Sequence, residues 1–274
     1  MFIDTHMHIG DTFGITPDTY IKNALDNNVK IMIASFCEKK DITLSTKFVD
    51  KYDCLYAAIG YHPEEANDIN EEDYALLEET IKNNKKIIAI GEIGLDYYWN
   101  KDNKEKQKEV FRRQLDLATK LNLPVVIHTR DAMEDTYNIL KEYKVRGVMH
   151  CFSGSYEMAK KFIDLGYLLG IGGVLTFTNS KLYQVIEKID LDKIVLETDS
   201  PYLTPVPKRG ETNESANIPL IAKKLSEIKK ISVEEVAEIT TKNALGLFDI
   251  DITLWYNLII EYRGYNFVGS KLYE

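Results

Sequence analysis

Ile87-Ile88-Ala89-Ile90, then Lys104 to Leu121, then Val125-Val126-Ile127: the reading of these three pieces decides the fold. The first and last are short, apolar and rich in β-branched side chains, the pattern of strands buried on both faces. The middle piece sets Val110, Phe111, Leu115, Leu117, Ala118 and Leu121 at helical spacing among charged residues, so one stripe is apolar and the rest is wet. Two buried strands joined by an amphipathic helix make a parallel crossover unit.

The same alternation extends in both directions. Strand candidates recur at Phe2-Ile3, Val29 to Ala34, Leu55 to Ile59, Gly147 to Met149, Tyr167 to Ile171 and Ile194 to Leu196, which with the two above makes eight. Eight such units in 274 residues predict an α/β chain folded as one (β/α)₈ barrel of the TIM type, in preference to an open doubly wound sheet. After the last strand, Pro219 suits the first turn of a helix, and Ser232 with Glu235 has capping-box spacing ahead of another. The barrel is expected to occupy residues 1–250. A tail over 251–274, containing Trp255 and Phe267, has no assigned role.

Composition narrows the function. The formal net charge of −9 excludes a passive nucleic-acid coat, because sequence-independent binding depends on Lys and Arg displacing counterions from phosphates. It does not exclude a metal enzyme, whose bound cations supply positive charge where a phosphate would sit. Cys37, Cys54 and Cys151 are widely spaced and read as reduced thiols. The opening Met1-Phe2-Ile3-Asp4 lacks the basic and apolar regions of a signal peptide, so the cytoplasm is the expected location. No stretch reaches the ~20 apolar residues of a membrane span.

The chain has five histidines, and each falls at or just past a predicted strand end: His6 and His8, His62, His128 and His150. Glu92 and Asp199 do the same. In a parallel barrel these ends converge on one face, the face that carries active sites. His6 and His8 are two apart, so a strand points both imidazoles to one side. Neutral imidazoles mixed with carboxylates suit Zn, Mn or similar cations. A single strand-end histidine is more often a rim residue; five in register imply a ligand set.

Taken together, Thr5-His6-Met7-His8, Gly60-Tyr61-His62-Pro63, Gly91-Glu92-Ile93-Gly94-Leu95-Asp96, Ile127-His128-Thr129-Arg130, His150-Cys151-Phe152-Ser153-Gly154 and Glu197-Thr198-Asp199-Ser200-Pro201-Tyr202-Leu203 resemble the TatD-type metal-dependent deoxyribonucleases. The motifs run in that family's order over roughly residues 1 to 248. The resemblance implies two divalent ions (Mg, Mn or Zn) and hydrolysis of DNA, single-stranded or at frayed ends, as an exonuclease. By it, His6, His8 and Asp199 hold one ion, His128 and His150 the second, and Glu92 bridges both. Asp199 and Glu92 are then the catalytic pair, with Asp199 orienting or deprotonating the attacking water.

His62, Arg130 and Arg209 are expected on the substrate side, with Lys208 beside them; for His62 the competing reading is a brace for the loop to Pro63. Tyr97, Tyr98 and Trp99 either stack bases or plug a loop. Cys151 reads as a packing residue rather than a nucleophile. Where family members commonly carry a proline after the Asn-Glu pair, this chain has Ser215, which predicts a less rigid loop, and Glu211 adds negative charge there. Two other functions fit the residues less fully: a metal hydrolase of a small amide, ester or lactone, and a non-catalytic interaction protein using the aromatic tail.

Overall fold

The computed structural model describes residues 1–10 and 14–251, so the tail from 252 onward lies outside the described residues. In chain order the elements are β1 (Phe2–Met7), α1 (Pro17–Asp26), β2 (Val29–Phe36), α2 (Leu44–Lys51), β3 (Leu55–Ile59), α3 (Glu71–Asn83), β4 (Ile87–Asp96), α4 (Lys104–Leu121) and β5 (Val125–Arg130), followed by α5 (Met133–Leu140), β6 (Gly147–Met149), α6 (Tyr156–Asp164), β7 (Tyr167–Ile171), α7 (Leu182–Ile186), β8 (Ile194–Leu196), α8 (Ile218–Lys229) and α9 (Val233–Phe248). The eight strands pair in sequence order, every neighbouring pair parallel. This is the (β/α)₈ barrel expected from the sequence.

Closure comes from the residues just past β8. Met7 bridges to Ser200, the His8 amide donates to the Ser200 carbonyl at 2.8 Å, and the Asp199 amide donates to the His6 carbonyl at 3.0 Å. The seam of the barrel is thus built from two of the motifs that carry the candidate ligands. Shaping the site and closing the barrel are one event.

Side chains alternate across each strand and form two apolar populations. Val29, Met32, Ala34, Ile59 and Val125 pack outward with the helices. Ile3, Ile31, Ile33, Val126, Val148 and Val195 point the other way and meet Ala244, Leu247, Phe248 and Ile250. The end of α9 therefore fills the barrel floor opposite the active face. The helix starts where its sequence says it should: Ser232 Oγ accepts from the Glu235 amide at 3.1 Å, and Glu235 Oε2 accepts from the Ser232 amide at 2.9 Å. Such a cap contributes about 1 kcal/mol. Pro219 lies in the first turn of α8.

Four strands run further than their apolar cores predict, β2 by two residues to Phe36. β1 continues to Met7, β4 to Asp96 and β5 to Arg130. The pairing Gly94↔His128, Leu95↔Thr129 and Asp96↔Arg130 keeps the backbone extended through polar residues that hydrophobic patterning does not read as strand. His6, Glu92 and His128 consequently lie inside strands rather than just beyond them.

Candidate metal centre

The site begins with the two-residue step from His6 near the end of β1 to His8 just past it. His6 Nε2 and His8 Nε2 stand 3.3 Å apart, and His6 is buried. Glu92 on β4 brings Oε2 to 3.5 Å from His6 Nε2 and 4.0 Å from His8 Nε2. Asp199, just past β8, brings Oδ1 to 3.7 Å from each. Donors around a tetrahedral cation with bonds of about 2.0–2.1 Å sit about 3.3–3.4 Å from one another. His6, His8 and Glu92 form one group whose donor atoms could hold a divalent ion, and His6, His150 and Asp199 form another that shares His6.

The other oxygen of Glu92 faces a second group. Oε1 is 2.7 Å from His128 Nδ1, 3.7 Å from His150 Nε2 and 3.8 Å from His62 Nε2. His150 also lies near the first group, its Nε2 3.8 Å from Asp199 Oδ1 and its ring stacked on His6 at 3.6 Å. For His62 the structure shows the loop brace. Its Nδ1 accepts from the Glu64 amide and caps the turn that begins at Pro63, while its Nε2 faces the mouth.

Two carboxylates of the sequence motifs, Asp96 and Glu197, stand behind the imidazoles, a role that sequence reasoning missed. Asp96 Oδ2 is 2.9 Å from His128 Nε2, and Glu197 Oε1 is 3.1 Å from His150 Nδ1 while accepting the Cys151 amide at 2.6 Å. A carboxylate on the far nitrogen fixes the orientation of a metal-binding histidine. For Asp96 the signal was available: it is four residues after Glu92 within β4, an even step along one strand. Two glycines make room for these pairs. A Cβ on Gly94, at φ +145°, would fall 2.0 Å from the His128 carbonyl oxygen, and one on Gly170 would fall 2.2 Å from Glu197 Oε2.

A third buried carboxylate, Asp4, ties the seam together. It accepts from Thr198 Oγ1 and Ser215 Oγ, both at 2.6 Å, and from the Thr198 amide at 3.0 Å. Burial nonetheless pushes its carboxyl up to about 7. Ser215 also donates its amide to Tyr20 Oη at 2.8 Å and is fully buried. The expectation of a looser loop at Ser215 is therefore wrong: the hydroxyl and the amide that proline lacks are both used to pin it.

The electrostatics follow from crowding. Burial and the charge on His150 hold the His6 imidazole well below its ordinary value. Burial also lowers His62, to about 4. For His128 and His150 burial acts the same way but is outweighed, by Asp96 and Glu92 for the first and by Glu197, Glu92 and Asp199 for the second, which lift them to about 9 and about 10. Burial alone would raise Glu92, yet His150, His128 and His6 hold it well below the carboxylate range. The carboxylates thus favour protons on His128 and His150, and a divalent ion bound there would displace them. Asp131, Cys151 and Asp199 all take positive φ, between 47° and 55°, within a residue or three of the ends of β5, β6 and β8. Backbone of this kind, costing roughly 1–3 kcal/mol per residue, gathers at functional sites.

Around the mouth, Arg130 is exposed and makes no ion pair among the described residues; its guanidinium lies 3.9 Å from the centre of the Tyr98 ring. Arg209 braces its own loop, with Nη1 donating to the Thr204 carbonyl and the guanidinium 4.1 Å from the Phe177 ring. Lys208 is half-buried beside it. Tyr97 is the plug, buried with its hydroxyl donating to Asp135, whereas Tyr98 and Trp99 are exposed. Cys151 is half-buried and burial pushes its thiol well up, which suits packing and not attack.

Imidazoles and carboxylates gathered at the carboxyl ends of a parallel barrel define a metal-dependent hydrolase. The chain belongs to the TatD related DNase family, whose model matches residues 3–249. It is 42% identical over 256 residues to YabD, an uncharacterized metal-dependent hydrolase of Bacillus subtilis, across 92% of this chain and the whole of that protein. It is 35% identical over 258 residues to YcfH, an uncharacterized metal-dependent hydrolase of Escherichia coli K12, across 91% of this chain and 96% of the other. Among solved structures, the TatD homolog YjjV of Escherichia coli K12 superimposes with a TM-score of 0.84 at 30% identity, covering 91% of this chain and 98% of that one.

Proposed function

We propose that the protein hydrolyses phosphodiester bonds at single-stranded or frayed DNA ends, using two divalent cations drawn from Mg, Mn and Zn. One observation carries the two-ion reading: the oxygens of Glu92 face different sets of imidazoles, Oε2 toward His6 and His8, Oε1 toward His128, His150 and His62. A carboxylate so placed suits a bridge between two cations. In this reading His6, His8 and Asp199 hold one ion and His128 and His150 the other, with Glu92 shared. When bound, the ions would supply positive charge to a phosphoryl oxygen and acidify water.

The proton is assigned to Asp199 on exposure. Its side chain is 14% exposed, against 6% for Glu92, 1% for Asp96 and 0% for Glu197. Water reaches Asp199 best, so it orients the attacking water and accepts its proton. Arg130, exposed and unpaired by any described carboxylate, offers paired N–H donors to a non-bridging phosphate oxygen. That guanidinium, stacked over Tyr98 yet paired with no described carboxylate, supports phosphate over a small amide, ester or lactone. His62 and Arg209 flank the same opening, with part of each already committed to its loop. Among the described residues no helix is long and apolar enough to cross a membrane, and all three cysteines are free thiols, which suits the cytoplasm.

The test pairs metal analysis with a substrate panel. Reloaded protein should approach two equivalents of metal and shorten a labelled oligonucleotide in Mg or Mn, with EDTA stopping it. Protein holding one equivalent overturns the two-ion reading, and metal-loaded protein that cleaves amides or lactones while leaving every oligonucleotide intact overturns the nuclease.

A further inference from the structure

The described residues include four exposed aromatic side chains, Tyr98, Trp99, Tyr183 and Tyr202, and three of them stand at the mouth of the metal centre. Their exposures are 46% for Tyr98, 63% for Trp99 and 58% for Tyr202, large apolar areas for a surface to leave in water. They are not scattered. Tyr202 lies beside His8, ring centres 6.2 Å apart, at one end of the row His8–Glu92–His128. Tyr98 and Trp99 stand at the other end, edge to face at 4.8 Å, with Arg130 lying 3.9 Å from one ring centre and 5.4 Å from the other.

Their placement is tied to the ligands. Asp96 Oδ1 accepts the amides of both Tyr98 and Trp99 at 2.9 Å, while its Oδ2 is 2.9 Å from His128 Nε2. One carboxylate thus sets the pose of a candidate ligand and the backbone that presents two rings. A small amide or lactone needs no exposed rings on both sides of the reacting atoms. A chain of phosphodiesters carrying flat bases does, because every base has a face to stack.

We propose that Tyr98, Trp99 and Arg130 on one side and Tyr202 on the other form a stacking frame that seats the bases flanking the scissile phosphodiester and so sets the enzyme's preference for unpaired DNA. The proposal rests on the nuclease reading and adds to it the residues that choose the substrate. Stacked bases are unavailable inside a duplex, so a frame of this kind selects strands whose ends are already open.

The experiment compares metal-loaded wild type with Trp99→Ala, Tyr98→Ala, Tyr202→Ala and the conservative Trp99→Phe. Substrates are a single-stranded DNA oligonucleotide and counterparts made abasic at the last two positions of either end. Removing a ring should raise KM about tenfold with little change in kcat, the scale of one base stack. Removing the terminal bases should do the same to wild type, yet add little to Trp99→Ala, because both changes break the same contact. Trp99→Phe should recover most of the loss. Unchanged KM in all three alanine variants, or ring and base effects that simply multiply, would overturn the frame while leaving the nuclease intact. A metal-loaded wild type that cleaves no oligonucleotide removes both.

Discussion

Glu92→Gln isolates the charge that the two-ion reading depends on, because the amide keeps the shape and one oxygen of the carboxylate. Glu92 lies between 2.7 and 4.0 Å from donor atoms on five histidines. At about 4 Å and an effective dielectric near 20, two unit charges interact by about 4 kcal/mol, so losing the carboxylate should weaken each ion by roughly a thousandfold in Kd. A second effect opposes this. Glu92 helps hold His128 and His150 protonated, at about 9 and about 10, and its loss lowers both.

The sign is clear: below those values the metal must expel protons, and the variant expels them more easily. At pH 7 the deficit should shrink to roughly ten- to a hundredfold, and by pH 10, where His128 is largely neutral and His150 about half so, it should have grown back toward the full thousandfold. Chelator competition with Zn or Mn across that range measures both limbs, and oligonucleotide turnover should fall to about 1% or less throughout. Two ions retained at pH 10 with wild-type affinity would refute the bridging role.

Four further outcomes follow from single contacts. Asp199→Asn should keep much of its metal while oligonucleotide hydrolysis falls by about 10²- to 10⁴-fold, and a fully active variant would remove Asp199 as the proton acceptor. Asp96→Asn and Glu197→Gln, which alter the groups behind His128 and His150, should each weaken metal binding by about 10- to 100-fold in chelator competition. Ser215→Ala removes a donor to buried Asp4 and should lower stability by about 1–3 kcal/mol in thermal or urea unfolding, with an unchanged midpoint contradicting its role as a pin. Deleting residues 252–274 should leave metal content and turnover largely intact, since the barrel floor is already filled by α9 and Ile250; loss of folding would show that the tail completes the domain.

How much of this was legible beforehand depends on the range of the interaction. Helix α4 and strands β3, β6, β7 and β8 fall at their predicted residues because apolar periodicity is a local property that each segment carries for itself. The ordered motifs likewise named the candidate ligands, and the two-residue step at His6 and His8 placed both imidazoles on one side. Polar strand ends were missed: the segment from Ile93 to Asp96 is held extended by its neighbour's backbone, a cause that lies in β5 and not in its own side chains.

Tertiary structure alone decided the rest. That Glu92 faces two groups of histidines, that Asp96 reaches His128 across the β4–β5 pair, and that Asp4, Ser215 and Tyr20 lock the seam are facts about strands brought side by side. Asp4 and Ser215 are 211 residues apart in the chain and 2.6 Å apart in space. Sequence sets which face of an element is apolar and which residue types stand at its end. The distances between those ends are fixed only when β1 meets the residues beyond β8 and the barrel closes.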